Sequence, residues 1–349
     1  MMTVDFNAFT INNLYPDTDF EKNVVSFITE WHSPAKTVKV QTSGSTGVPK
    51  VLDVEKKRMR HSAMMTCNFL GLQEGDSALV CLPVEYISGK MMIVRALERK
   101  LKLHVVNPSA KPLKELEQRV DFCAMSPLQV ENSLDKIHLI KNLIIGGAQV
   151  SESLKHKISK NIPESSTSRI FETYGMSETL SHIALKQIYP EAEECFTVMD
   201  GVKISQDGRA CLEIAAPSLT PSLLHTNDVV ELQGPNRFKF VGRADNIINS
   251  GGLKIQPEQV ESILRQYLDA EAVVGSVPDI LLGQKLVVVV EGENTSEIRS
   301  GLIEAFKGIR TALSKNHVPK DVMFLSTFPR LPNGKINRRT ILNEMKNVD

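Results

Sequence analysis

"VQTSGSTGVPK", residues 40–50, gathers two serines, two threonines, two glycines and a lysine. Glycines allow positive φ and close backbone approach, so several N–H groups can converge on an oxyanion. Thr42, Ser43, Ser45 and Thr46 add hydroxyls around Gly44 and Gly47. Lys50 adds a charge, and Pro49 stiffens the exit. The common nucleotide loop ends in Gly-Lys-Ser/Thr and runs from a strand into a helix. Here Lys50 follows Pro49 instead. The alternating stretches "TVKVQT" and "KVLDVE" on either side predict two strands. The loop is therefore expected to close a hairpin.

Beyond it, Met59, Ala63, Cys67 and Leu70 share one face of a predicted helix over 56–70, with Gly71 as its stop. "SALVCLP" reads as a buried strand and "GKMMIVRALERK" as a helix. "KLHVVNP", "VDFCAMSP" and "KNLIIGGA" read as further strands, each followed by a helical stretch, and "SRIFETYG" as another strand. This βα rhythm implies a mostly parallel sheet with helices on its faces. After Cys195 the pattern changes. "VKISQDGRACLEI" predicts a hairpin turning at Asp207-Gly208, and "VVELQGPNRFKFVG" a second near Gly234-Pro235. Gly and Asn in 242–252 mark a flexible connection, and Pro257 opens a helix. The remainder reads β, β, α, β, α. The expected organisation is a large α/β domain with a β-rich portion, residues 1–242, and a small α+β domain, residues 243–349.

At 349 residues, two domains are the natural expectation. Lys plus Arg and Asp plus Glu number 41 each, so no global field draws the chain to nucleic acid or acidic membranes. Five scattered cysteines with no CxxC pair fit neither a disulfide framework nor a zinc site. No apolar run approaches the ~20 residues of a membrane helix. The N-terminal stretch lacks the basic-then-apolar order of a signal peptide. A cytoplasmic location is expected. Oligomeric state is not written in the sequence.

Several further stretches could carry chemistry. In "FETYGMSETLSHIAL", Tyr174 and Gly175 end a strand and Glu178 follows, where a carboxylate could hold Mg²⁺ beside phosphates. His182, on an apolar stretch, fits a structural histidine equally well. Gly146 and Gly147 in "LIIGGA" would let a flat ring lie against the backbone. Asp228 in "LLHTNDVV" could take both ribose hydroxyls, or simply form a turn. Lys335, on the loop of "PRLPNGKINRR", could deliver positive charge to a transition state.

Taken in order, "TSGSTGVPK", "GGA", "YGMSE", "TND", "GRADNIINSGG" and "PNGKINR" resemble the motif series of the adenylate-forming superfamily, which includes acyl- and aryl-CoA ligases. The likeness runs from about residue 38 to residue 339. It implies an enzyme that joins a carboxylic acid to the α-phosphate of ATP, releases pyrophosphate, and then passes the acyl group to a thiol, usually CoA. By motif position, Thr42, Ser43, Gly44, Ser45, Thr46, Gly47 and Lys50 should hold the outer phosphates, with Thr46 close to the chemistry. Glu178 should hold Mg²⁺. Gly146, Gly147, Ala148, Tyr174 and Gly175 should flank adenine, and Asp228 and Arg243 the ribose. Lys335 should bridge the acid and the α-phosphate. Asp245 matches the family hinge, and Gly251-Gly252 would line the pantetheine path.

The chain departs from the family in two respects. It has about forty residues before the phosphate loop, far fewer than is typical, and the usual "PxxHxxG" reads "PVEYISGK", with Tyr86 in place of histidine. The short length, "ISGKMM" and "YGMSETLSHIALK" resemble the o-succinylbenzoate–CoA ligases of menaquinone biosynthesis. That resemblance places Tyr86, Ser88, Lys90, Ser181 and His182 around the acid. Lys90 or Arg95, on the helix after "ISG", could meet the second carboxylate of such a substrate, or both could be solvated helix charges. The alternatives are another aryl- or acyl-CoA ligase, an adenylating enzyme that loads a carrier-protein thiol, and an inactive binding homologue.

Overall fold

The computed structural model describes residues 2–8, 14–41, 51–330 and 336–345. The chain opens with strand β1 (Met2–Asp5) and helix α1 (Asp19–His32). Thr18 and Glu21 form a reciprocal capping box at the start of α1. Strands β2 (Thr37–Gln41) and β3 (Val51–Glu55) pair antiparallel, and α2 (Lys56–Leu70) follows directly. Then come β4 (Ser77–Val80), α3 (Ile87–Arg99), β5 (Lys102–Val105), β6 (Val120–Met125), α4 (Pro127–Glu131), β7 (Ile140–Ile145), α5 (Glu152–Asn161) and β8 (Arg169–Gly175). Six strands follow with no α-helix between them: β9 (His182–Tyr189), β10 (Phe196–Val198), β11 (Lys203–Gln206), β12 (Cys211–Ala215), β13 (Leu224–Leu232) and β14 (Arg237–Arg243). The last stretch carries β15 (Ile248–Ser250), β16 (Leu253–Ile255), α6 (Pro257–Tyr267), β17 (Ala272–Asp279), β18 (Gly283–Glu291), α7 (Ser296–Ala312), β19 (Asp321–Leu325) and α8 (Arg338–Met345).

Twelve strands make one sheet in the order β1-β5-β4-β6-β7-β8-β9-β10-β14-β13-β12-β11. From β5 to β8 they run parallel, and from β9 onward antiparallel. The β-rich portion expected from the sequence is thus a continuation of the same sheet. Alternation along the parallel strands fills both faces. Ala78, Val80, Phe122, Ala124 and Ile144 face a core shared with α1, α2 and α3. Leu79, Cys81, Cys123, Met125 and Leu143 face the opposite core with α5. The stretch from β15 to α8 builds a five-stranded sheet. There Leu286, Val288 and Val290 of β18 meet α6 and α7, while Val287 and Val289 meet α8. No described helix is long and apolar enough to cross a membrane.

Two expectations need correction. No helix follows β5: residues 106–119 form turns, because Pro108 and Pro112 remove backbone donors, and Leu113 and Leu116 are buried from that irregular path. The connection read as flexible is in part a hairpin. β15 and β16 pair antiparallel and turn at Gly251 and Gly252, whose φ of 57° and 82° favour glycine at both positions.

Candidate active site

The C-terminal ends of parallel strands β4, β6, β7 and β8 lie along one edge of the large sheet, where open α/β sheets bind ligands. Among the described motif residues, Gly146 and Gly147 follow β7, Tyr174 and Gly175 end β8, and Asp228 joins them through Tyr174. Segment 42–50, with Thr42, Ser43, Gly44, Ser45, Thr46, Gly47 and Lys50, lies outside the described residues. Its two ends are fixed by the Gln41–Val51 pair. Gln41 also donates its N–H to the Glu85 carbonyl at 3.2 Å and bridges to Tyr86, so the hairpin abuts "PVEYISG". Lys335 lies outside the described residues as well. Segment 331–335 leaves and re-enters at the paired residues Arg330 and Ile336, and Arg330 grips Glu291 through two 2.7 Å bonds.

Gly146 and Gly147 leave β7 beside the end of β8. A Cβ on Gly146 would sit 2.6 Å from Thr173 Oγ1, and Gly147 has φ 87°, so both positions require glycine. Buried Glu172 fastens this turn: it accepts the Val150 N–H at 3.0 Å and meets Lys186 at 2.9 Å. Sequence reading passed over Glu172. Its signal is a carboxylate inside an otherwise apolar strand.

Tyr174 packs edge-on against Phe238 and donates its hydroxyl to Asp228 Oδ2 at 2.6 Å. Arg243 holds Asp228 Oδ1 at 3.0 Å with one amino group and Asp245 at 2.9 Å with the other. One chain of contacts therefore joins the residues assigned to adenine, ribose and hinge. Burial, then the Asp228 charge, pushes the Tyr174 phenol well above its ordinary range. The hydrogen bond to Asp245 and the nearby carboxylates raise Arg243 further.

Gly175 pairs with His182 across a six-residue turn. A Cβ there would fall 2.4 Å from the Ser181 carbonyl oxygen. Glu178 sits exposed within the turn, and its carboxylate has no partner among the described residues. No group of three or more His, Cys, Asp or Glu converges to hold a metal among those residues. A lone exposed carboxylate fits Mg²⁺, which takes few protein oxygens and completes its octahedron with phosphate and water.

Beyond the turn lies a buried polar chain. Arg95 of α3, 2% exposed, donates Nη2 to Ser181 Oγ at 2.9 Å. Ser181 Oγ lies 3.3 Å from His182 Nδ1, and His182 Nε2 lies 3.0 Å from Thr66 Oγ1. Thr66 donates to the Ser62 carbonyl. One proton arrangement satisfies the whole chain. Ser181 donates to Nδ1, and Nε2–H donates to Thr66. The imidazole is then neutral. That agrees with burial, and secondarily Arg95, holding His182 well below the usual histidine range. Thr66 escaped sequence reading. It lies one position from Cys67, beside the apolar stripe of α2.

Arg95 is the anomaly in this chain. Its Nε has no partner, Nη1 reaches only Met92 Sδ at 3.8 Å, and it makes no ion pair among the described residues. Desolvation lowers it to about 10, still cationic at neutral pH. Lys90 is oriented elsewhere. Its ammonium lies 4.3 Å over the Phe27 ring of α1, with Glu30 and Glu85 as the nearby charges. This separates it from Ser181 and His182, with which the sequence reading grouped it. Tyr86 is half-buried at the start of α3 and Ser88 is exposed in its first turn. Gly251 and Gly252 stand at the separate β15–β16 turn.

The family model described as AMP-binding enzyme matches residues 19–204. The crystal structure of an acyl-CoA synthetase (AMP-forming)/AMP-acid ligase II-like protein from Dyadobacter fermentans DSM 18053 is 33% identical. It superposes with a TM-score of 0.66 over 99% of this chain and 100% of that one. The 2-succinylbenzoate–CoA ligase of Listeria monocytogenes is 25% identical over 360 residues, covering 93% of this chain and 73% of its own length. The O-succinylbenzoate coenzyme A synthetase of Bacillus subtilis, solved with ATP and magnesium ion, shares the fold at TM-score 0.69. It is 21% identical, over 87% of this chain and 69% of that one.

Proposed function

Because the chain belongs to the AMP-binding enzyme family of adenylate-forming acid–CoA ligases, we propose that it activates a dicarboxylic aryl acid of the 2-succinylbenzoate type with ATP and transfers the acyl group to CoA. The observation that carries the choice of acid is Arg95. A fully buried guanidinium without a carboxylate partner is costly, and an incoming anion would complete it. Its planar fork suits a carboxylate held in two-point contact. Neutral His182 and Ser181 then hold the guanidinium in place without adding charge. The names of the Listeria and Bacillus relatives point to the same acid.

In the first half-reaction, an oxygen of the acid's reacting carboxylate attacks the α-phosphorus of ATP. The α–β bridging bond breaks and pyrophosphate leaves. The product is a mixed acyl-phosphate anhydride, whose carbonyl is far more electrophilic than that of a carboxylate. Mg²⁺, when bound, neutralises phosphate charge as the pyrophosphate departs. Glu178 would hold it, and the 42–50 segment would hold the departing phosphates. Asp228 and Arg243 would orient the ribose, and the 146–148 turn would receive adenine. Lys335 would offset charge between the carboxylate and the α-phosphate. In the second half-reaction the CoA thiol gives its proton to solvent, its sulfur attacks the carbonyl, and AMP leaves as the C–O bond to its phosphate breaks. Asp245 would mark the hinge between residues 1–242 and 243–349, and Gly251 and Gly252 would let pantetheine pass.

The test is CoA thioester formation from 2-succinylbenzoate, with ATP and Mg²⁺, beside benzoate and simple acyl acids. Thioester formed only from a monocarboxylic acid would overturn the choice of acid. AMP release that ignores CoA would overturn the choice of acceptor.

A further inference from the structure

The turn between β8 and β9 holds an unusual backbone conformation at Leu180. Leu180 has φ 64° and ψ −43°, and the Ser181 N–H donates back to the Thr179 carbonyl at 2.7 Å. This is a γ-turn of the positive-φ kind, rare and strained for any residue with a side chain. Leu180 is buried, so its side chain anchors the strained residue in the core. Such a conformation persists only where its surroundings over-determine it.

Thr179 supplies that constraint. It is fully buried, and its hydroxyl makes three contacts. It accepts the Met176 N–H at 3.1 Å, and its proton faces the Met176 carbonyl at 2.9 Å and the Ser181 carbonyl at 2.8 Å. One hydroxyl thereby clamps both ends of the turn. On one side of it stands Glu178, and on the other Ser181, the only oxygen partner of Arg95 among the described residues. Because Gly175 lies against the Ser181 carbonyl, β8 and β9 leave the turn no room to drift.

We propose that Thr179 is a positioning residue which, by clamping the strained turn at Leu180, fixes the Glu178 carboxylate and the Ser181–Arg95 contact relative to one another, so that the metal-nucleotide and acid subsites are set by a single hydroxyl. The proposal rests on the roles given above to Glu178 and Arg95. Thr179→Val keeps the shape and removes the hydroxyl, Thr179→Ser keeps the hydroxyl, and Thr179→Ala serves if the valine variant does not fold.

Two quantities are read: the factor by which Mg²⁺ tightens ATP binding, by calorimetry with and without EDTA, and the KM and kcat for 2-succinylbenzoate. Thr179→Val should weaken both the Mg²⁺ factor and kcat/KM by about tenfold or more, since small misplacements of reacting groups are costly. Thr179→Ser should restore both. A Thr179→Val enzyme that loses only thermal stability, or a serine variant that rescues neither quantity, would overturn the proposal. Glu178→Gln is the control. If it keeps the full Mg²⁺ factor, the metal assignment fails and the Thr179 proposal falls with it. If Glu178→Gln loses the factor while Thr179→Val keeps it, the Thr179 proposal alone fails. A wild-type enzyme inert toward 2-succinylbenzoate would refute the choice of acid and leave the Mg²⁺ factor to decide Thr179.

Discussion

The Tyr174 hydroxyl and the Asp228 carboxylate lie 2.6 Å apart, while Arg243 holds the other oxygen of that carboxylate at 3.0 Å. Both Asp228 oxygens are therefore engaged before a nucleotide arrives. Under the proposed function, a nucleotide ribose would join this network through that carboxylate. Arg243 carries the same network on to Asp245, at the start of the link between the two larger sheets.

Asp228→Asn should keep the shape and lose the charge. Hydrogen bonds to charged groups contribute about 1.5–3 kcal/mol each, so ATP and AMP should bind roughly tenfold to a hundredfold more weakly. Pyrophosphate, which has no ribose, should bind as before. Calorimetric titration with the three ligands checks this, and equal losses for all three would remove Asp228 from the ribose site.

His182 sets a pH dependence of stability. In the folded chain it titrates well below its ordinary value, whereas the unfolded histidine titrates near 6.5. Below about pH 6.5 the unfolded state therefore binds more protons, and stability falls with acidification toward the folded value. The slope from this one group is at most about 1.4 kcal/mol per pH unit. His182→Gln should flatten the fall between pH 7 and 5.5 in denaturant unfolding. An unchanged slope would show that His182 is not the group responsible.

Arg338 opens α8, just after the segment that carries Lys335. It meets buried Glu261 at 2.6 Å, and Glu261 also accepts the Val274 N–H at 2.7 Å. Arg338→Met leaves that carboxylate only Arg265, at 3.5 Å, as a cation, and the lost charge-assisted bond should cost about 1.5–3 kcal/mol in urea unfolding. Adenylation, followed by pyrophosphate release, should slow as the base of 331–335 loosens. Full stability in the variant would contradict this account of α8.

Much of the fold was legible because its signals are local. Helix 56–70, the parallel strands and both late hairpins follow from periodicity and turn residues, and their observed bounds agree closely with that reading. The turns of 106–119 were misread because apolar spacing there outweighed Pro108 and Pro112. Helix α1 went unread although Thr18 and Glu21 carry the capping-box spacing. The motif residues could be named from the chain. That Lys90 faces Phe27 while Arg95 faces Ser181 could not, because it depends on how α3 rolls between α1 and the large sheet. The strain at Leu180 was equally invisible, since it depends on the contacts of the buried Thr179 hydroxyl across the turn.

On the proposed function, Arg95 receives the second carboxylate of the acid. The most direct measurement compares Arg95→Met with the wild-type enzyme in thioester formation from 2-succinylbenzoate and from benzoate. Removing a buried, unpaired charge should leave the unliganded protein as stable or more so. In Arg95→Met, kcat/KM for 2-succinylbenzoate should fall by roughly a hundredfold or more, as expected for the loss of about two charge-assisted hydrogen bonds, while any turnover of benzoate is kept. Equal losses on both acids, or no loss on 2-succinylbenzoate, would contradict it.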